Sequence, residues 1–439
     1  MTGVAAWALA AVAARLAVSW ASADAGVFAD MTQYHERAVL LAHGAPLADA
    51  LRGPGYPTLL ALAYRLGGES FWWGRVANAL VGGALAFATG WLARRAGAGA
   101  RAWMAAAAAA LYPSLVLSSV YLMPEGLYTL LVVAALVCLD HRSPGWIAAA
   151  GLLAGAAMLT RSVGLALLGS AVGVAAWAVV QEGATLRAAG TRVAVFVLAA
   201  AVVLTPWLLF TTRVAGGPML DATSGINVLL GAHDTATGRL VLGDEPRLRA
   251  AFVDGSASPA DGNRRALAAA LAWARAHPAR WGRLAVAKVA YLAGLEGREH
   301  AWAYGNGYFG PRSPLVVTAW GAALLVAFPI LALAALAGLV GARVPGRPVH
   351  AAMAGFVVAT CALHALSFGE SRFHLPIVPL LAVAASLSVP GRVAARWRIV
   401  AATVVAAALV AAWTSQAGEL VGALARLRTP AGWQSHPPY

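Results

Sequence analysis

Apolar runs of about 20 residues recur along this chain, and each can cross a hydrocarbon core roughly 30 Å thick as a helix. They fall at residues 3–21, 71–93, 102–119, 124–140, 145–160, 163–180, 191–211, 314–341, 349–366, 374–389 and 399–415, eleven in all. Ala and Leu dominate them, and lipid offers no water to unpaired backbone groups, so helices are the expected element. Residues 55–67 and 281–295 are shorter apolar stretches, fit to lie at the interface or re-enter the membrane. Charge is too scarce to cover a water-exposed surface. Of 439 residues only 11% are charged and 60% are hydrophobic, against about 25% charged in a typical soluble domain. The predicted class is an all-α polytopic membrane protein with about eleven transmembrane helices.

The net charge is +14, from 32 Lys+Arg and 18 Asp+Glu. In a soluble chain that excess would suggest nucleic acid. Here much of the arginine sits in short loops between apolar runs, which is a topology signal, so no nucleic-acid partner is expected. One set of alternate loops holds Arg94, Arg95 and Arg101; Arg142; Arg187 and Arg192; Arg343 and Arg347; Arg392, Arg396 and Arg398. These short basic loops predict a cytoplasmic side and a cytoplasmic N-terminus in the cell (plasma) membrane. The long segments 22–53 and 212–313, the turns at Glu125 and Arg161, Ser367–His374 and a tail from 416 to 439 then face outward. The first run is read as an uncleaved helix, because no basic residue precedes Arg15; a signal-peptidase site at residues 21–25 is the alternative. Arg15 itself should face protein or snorkel outward. Cys138 and Cys361 lie inside apolar runs and suggest small core residues, with no disulfide or metal spacing.

Polar chemistry can therefore gather on the outward side. Residues 30–43 predict an interfacial helix with Val39, Leu40 and Leu41 on its apolar face, and residues 261–290 look similar. Several outward motifs follow in one order: Asp30-x3-Tyr34-x3-Ala38, Gly44, Arg52-Gly53-Pro54-Gly55-Tyr56-Pro57, Leu111-Tyr112-Pro113 and Pro124-Glu125. Then come Leu159-Thr160-Arg161, Thr205-Pro206-Trp207, Ser224-Gly225-Ile226-Asn227 through Gly231 to Ala236-Thr237-Gly238, and Arg372-Phe373-His374-Leu375-Pro376. From about residue 25 to 390 this series resembles the bacterial GT-C glycosyltransferases related to protein O-mannosyltransferases and aminoarabinose transferases. The resemblance implies a GT-C-like domain over 1–415, with the catalytic acid in the first outward loop (22–70) and a large second loop (212–313). It also implies an active site at the outer face, a polyprenyl-phosphate sugar donor, an extracytoplasmic protein, lipid or glycan acceptor, and inversion at the anomeric carbon.

Asp30 stands where the family has an acidic residue at its reaction centre, and a carboxylate can orient or deprotonate the attacking hydroxyl. Asp also favours a helix N-cap on backbone grounds alone. Asp24 and Glu36 are weaker alternatives. Arg52, Arg161 and Arg372 offer guanidinium forks suited to phosphate oxygens; each could instead snorkel or pair with Glu125 or Glu370. Tyr34, Tyr56 and His374 are further candidates for donor phosphate or sugar contact, with aromatic-belt or plain surface roles as the alternatives. Glu125 matches the family's second acidic position; the helix dipole would also favour a carboxylate there. Gly53 departs from the pattern, since some relatives carry a basic residue directly before the proline. The Ser224–Gly238 stretch has turn-rich composition and is read as an acceptor-side lid. No cofactor is required, and no metal is predicted, although Asp30 and Glu125 could share a divalent ion. The rival function is a transporter or flippase of lipid-linked sugar, which would place polar residues at mid-membrane.

Overall fold

The computed structural model describes residues 2–22, 29–241, 243–305, 308–310, 312–342, 346–387 and 395–426. Helices account for all regular structure among them. The first are α1 (Thr2–Ala21), α2 (Asp30–Ala42), α3 (Gly55–Gly67), α4 (Phe71–Ala96), α5 (Ala102–Leu111), α6 (Pro113–Val120), α7 (Glu125–Leu139), α8 (Pro144–Thr160), α9 (Leu167–Glu182) and α10 (Leu186–Ala215). An outer region follows, with α11 (Ser224–Leu230), α12 (Asp244–Phe252), α13 (Pro259–Ala276), α14 (Pro278–Leu292) and α15 (Arg298–Gly305). The chain ends in α16 (Pro314–Gly341), α17 (Pro348–Leu366), α18 (Val378–Ser386) and α19 (Arg396–Arg426).

Seven described helical segments are long and apolar enough to cross a membrane, or eight if α5 and α6, bent by 46° at Pro113, form one span. α7 and α8 are shorter apolar helices, and the expected 374–389 segment resolves into a 3-10 turn followed by the nine-residue α18. α10, α16 and α19 expose Leu198, Val202, Leu209, Ile330 and Val404, an apolar surface that water would not tolerate at this scale but lipid does. Between helices the packing relies on small residues. On α9, a Cβ at Gly169 would lie 2.5 Å from the Gly355 carbonyl oxygen of α17, and one at Gly173 2.6 Å from that of Ala351.

Arg15 shows how a charge is accommodated within α1. Pro113 has no N–H for the Ala109 carbonyl, and the chain bends there. The Arg15 guanidinium, fully buried, donates to Ala110 O at 2.7 Å, Ala109 O at 3.2 Å and Ser119 Oγ at 3.1 Å. Arg75 on α4 binds Val120 O and Ser22 O in the same manner.

The two ends of the bundle differ. At one end the short basic loops meet: Arg95 pairs with Asp140 at 2.5 Å, Arg142 with Glu182, and Arg347 donates to Arg95 O at 2.7 Å. Arg343 and Arg392, assigned to the same side, lie outside the described residues. At the other end sit both long loops, where α11, α12 and α13 enclose a small core with Phe368. Here α2 buries Met31, Tyr34, Arg37 and Ala38. The expected stripe is therefore rotated: Leu40 is exposed, and Val39 and Leu41 only partly packed. The tail expected from 416 begins later, because α19 continues to Arg426 with Leu420 and Leu424 buried; 427–439 lie outside the described residues.

Candidate functional site

Two cavities open at this second end. The first, about 270 Å³, is lined by Asp30, Glu125, Glu296, His300, Glu370 and Arg372 among apolar side chains. The second, about 330 Å³, is lined by Asp30, Tyr34, Arg52, Arg161, Asp221 and Arg372. Asp30, Arg372 and Met123 belong to both walls. Charge is thus segregated: carboxylates dominate the first cavity, and three guanidiniums surround the second.

Asp30 opens α2, but its side chain does not cap the helix; the N-cap position is Ala29, with no side-chain cap bond. Its carboxylate Oδ1 instead accepts from Arg52 Nη2 at 2.7 Å. Ala29 has φ +50°, the one positive φ among described non-glycine residues, a sparsely populated conformation that clusters at functional sites. Burial would lower the Arg52 pKa, but Asp30 and Tyr34 reverse this and hold it above the ordinary value. The backbone next to Arg52 runs close to the end of α8: a Cβ at Gly53 would lie 2.2 Å from the Leu159 carbonyl oxygen. A basic side chain at 53 has no room here, which gives the departure at this position a steric reason.

Arg161 pairs with Glu125, both shielded from solvent. Its guanidinium lies 5.3 Å from the centre of the Phe373 ring, and that of Arg372 lies 5.2 Å from the same ring. One aromatic face region therefore gathers cations from α8 and from the turn after α17. Tyr34 packs edge-on against Tyr56 at 5.3 Å, and burial pushes its phenol up to about 12, so it stays a neutral donor. Asp221 accepts from Thr223 N, Thr223 Oγ1 and Ser224 Oγ, fixing the entry to α11. The stretch read as a turn-rich lid is thus helical in its first half, and Ser224 and Asn227 line the arginine-rich cavity.

Asp30, Tyr34, Arg52, Arg161, Arg372 and Glu125 line one or both cavities; two other candidates do not. Tyr56 is fully buried, and its hydroxyl donates to Asn78 Oδ1 at 3.2 Å. His374 is buried too, stacked on Phe328 at 3.8 Å and bonded through Nε2 to Glu296 Oε1 at 2.7 Å. Direct donor contact by these two is corrected to a supporting position behind the wall. Asp24 lies outside the described residues. Glu296 and His300 were missed, since nothing in the local pattern around them signals a cavity; Glu296 is brought to it by its bonds from Tyr112 and Ser114, far away in the chain. Glu370 was expected only as a partner for an arginine, and it pairs with Arg298 at 3.0 Å. Among the described residues, no three His, Cys, Asp or Glu side chains gather as a metal cluster.

No protein-family model matches the chain, and no curated protein does. Among solved structures it resembles the archaeal oligosaccharyltransferase AglB from Archaeoglobus fulgidus, in complex with an inhibitory peptide and a dolichol-phosphate. That match has a TM-score of 0.51 at 15% identity and covers 98% of this chain and 60% of that one. ArnT from Cupriavidus metallidurans bound to undecaprenyl phosphate superposes more loosely, with a TM-score of 0.44 at 19% identity over 85% of this chain and 78% of that one. Its apo form gives 0.41 at 18% identity over 87% and 78%. This chain thus spans about 60% of AglB's length. At such identities the likeness concerns the fold alone.

Proposed function

We propose that this chain is a membrane glycosyltransferase that takes a sugar from a polyprenyl-phosphate carrier and passes it to a protein, lipid or glycan acceptor. The observation that carries the reading is the place of Asp30, on the wall shared by an arginine-lined and a carboxylate-lined cavity. The lipid phosphate would sit among Arg52, Arg161 and Arg372. Asp30 would take the proton of the acceptor hydroxyl as its oxygen bonds to the anomeric carbon. The bond from that carbon to the phosphate oxygen breaks on the opposite face, with inversion. The departing lipid phosphate keeps the electron pair, and the guanidiniums neutralise it. Arg52 orients the Asp30 carboxylate meanwhile. No metal ion is written into this scheme.

The proposed setting is the plasma membrane, with the N-terminus cytoplasmic and both cavities outside; the gathering of basic loops at the opposite end supports it. The dolichol-phosphate in the AglB structure belongs to the lipid class proposed as carrier. The test is reconstitution in liposomes with radiolabelled polyprenyl-phosphate sugars and an envelope extract. Label should move into the extract. Movement of lipid-linked sugar between leaflets without transfer would overturn the reading in favour of a flippase.

A further inference from the structure

The carboxylate-lined cavity contains polar atoms that no interaction within the fold satisfies. His300, on α15, is 3% exposed and lines this cavity, yet neither ring nitrogen has a hydrogen-bond partner. Its ring packs against Tyr304 at 4.7 Å and Phe309 at 5.7 Å. Glu125 Oε2, on the same wall, is likewise without a partner, its other oxygen being held by Arg161. The neighbouring carboxylates are engaged. Glu296 accepts from Tyr112, Ser114 and the His374 ring, and Glu370 accepts from Arg298 and Leu240 N. Buried polar atoms left open cost about 1–3 kcal/mol each and in native structures call for an explanation, a missing ligand among them.

The open atoms define what fits. A neutral imidazole presents one donor and one acceptor, and a carboxylate oxygen presents acceptors only. A hydroxyl, which both donates and accepts, complements that set. A phosphate or carboxylate does not, since an ionised group brings no donor for Glu125 Oε2. The volume of about 270 Å³ lies near the small end of ligand pockets, which span about 300–1,000 Å³.

We propose that this cavity is a subsite for an uncharged, hydroxyl-bearing group, gripped by the His300 ring and Glu125 Oε2. The inference rests on the glycosyltransferase reading and adds the chemical class held beside Asp30. Two sources share that chemistry, the sugar ring of the donor and the hydroxyl-bearing part of the acceptor. His300 acts as a positioning residue, holding a hydroxyl without exchanging its proton.

The test uses the purified full chain in nanodiscs with four probes: undecaprenyl phosphate alone, and the same lipid bearing glucose, mannose or galactose. His300→Phe keeps the aromatic packing and removes both nitrogens, and His300→Gln returns a donor and an acceptor. The expected result is that H300F weakens binding of the preferred sugar lipid about tenfold, one net hydrogen bond's worth. Bare undecaprenyl phosphate should bind as in wild type, and H300Q should recover part of the loss. Should donor binding be unchanged while H300F raises the KM for acceptor about tenfold in the transfer assay, the held group is the acceptor's. Unchanged donor binding together with an unchanged acceptor KM overturns the proposal. So does an equal loss of bare and sugar-bearing lipid, or tighter binding of a uronic-acid-bearing lipid than of the hexose forms. Failure of wild type to bind any polyprenyl phosphate would instead sink the glycosyltransferase reading beneath it. If H300F does not fold, H300Q carries the comparison alone, and its donor binding and acceptor KM must lie between wild type and a tenfold loss.

Discussion

Replacing Arg15 with Met tests whether a buried cation inside α1 is structural. The Met side chain can fill much of the space but donates nothing. It would leave the carbonyls of Ala109 and Ala110 without the guanidinium that now reaches them at 3.2 and 2.7 Å. Ala109 has no alternative within its own helix, since the residue four positions on is Pro113. An unsatisfied buried acceptor costs about 1–3 kcal/mol, so two cost about 2–6 kcal/mol. Some of this is offset by no longer desolvating a guanidinium, which puts the net loss toward the lower end of that range. Arg15→Lys should recover part of it, with one charge but no fork to span both carbonyls. The assay is reversible unfolding in mixed detergent micelles, following helical signal for wild type, R15M and R15K. Stability of R15M within about 0.5 kcal/mol of wild type, the usual scatter of a neutral substitution, would refute the reasoning. The two carbonyls would then have found other partners, and the bend at Pro113 would not depend on α1.

Four further outcomes follow from the geometry. Arg161→Gln leaves Glu125 buried without its cation and should lower stability by about 3–5 kcal/mol, while also weakening binding of undecaprenyl phosphate; unchanged values for both would remove Arg161 from structure and site alike. Lys288→Met should cost about 1.5–3 kcal/mol, because the buried ammonium donates to the Ala365 and Leu366 carbonyls at the end of α17; the same unfolding assay reads it. Burial pushes the His300 pKa down to about 3 from an ordinary 6.5, so the unfolded chain takes up a proton below 6.5 that the folded chain refuses. Stability present above pH 6.5 should therefore fall as pH drops toward 3, and H300F should remove up to about 1.4 kcal/mol per pH unit of that slope. Gly53→Arg should impair folding or activity without adding a useful phosphate contact, given the 2.2 Å approach of its Cβ to Leu159 O; donor binding tighter than wild type would contradict this.

That Asp30, Arg52, Arg161, Arg372 and Glu125 come together at one end of the bundle was legible in the sequence, because each sits at the end of an apolar run or in a Pro/Gly turn on one side of the predicted topology. Once the runs alternate across a membrane, their ends must meet at one face. The helix over 30–42 was legible as well, but its buried stripe was not. Composition marked Val39–Leu41 as apolar, whereas the bundle covers Met31, Tyr34 and Ala38. Tyr56 and His374 read as site residues because polar aromatics beside such motifs can turn either way. Only the fold shows the first turned to Asn78 and the second clamped between Phe328 and Glu296. Glu296 and His300 gave no local signal, as their cavity partners lie far away in the chain. The bend at Pro113 turned an expected single span into two pieces, and its compensation by Arg15 depends on a contact between α1 and α5 that no local pattern announces.

Asp30, on the shared wall of the two cavities, is the proposed proton acceptor. The most direct measurement is single-turnover transfer of labelled sugar from polyprenyl phosphate by reconstituted wild type and Asp30→Asn, with lipid-phosphate binding measured in parallel. Loss of a general base predicts a rate about 10²–10⁴-fold lower with binding largely retained. Transfer by the asparagine variant at the wild-type rate would contradict the account.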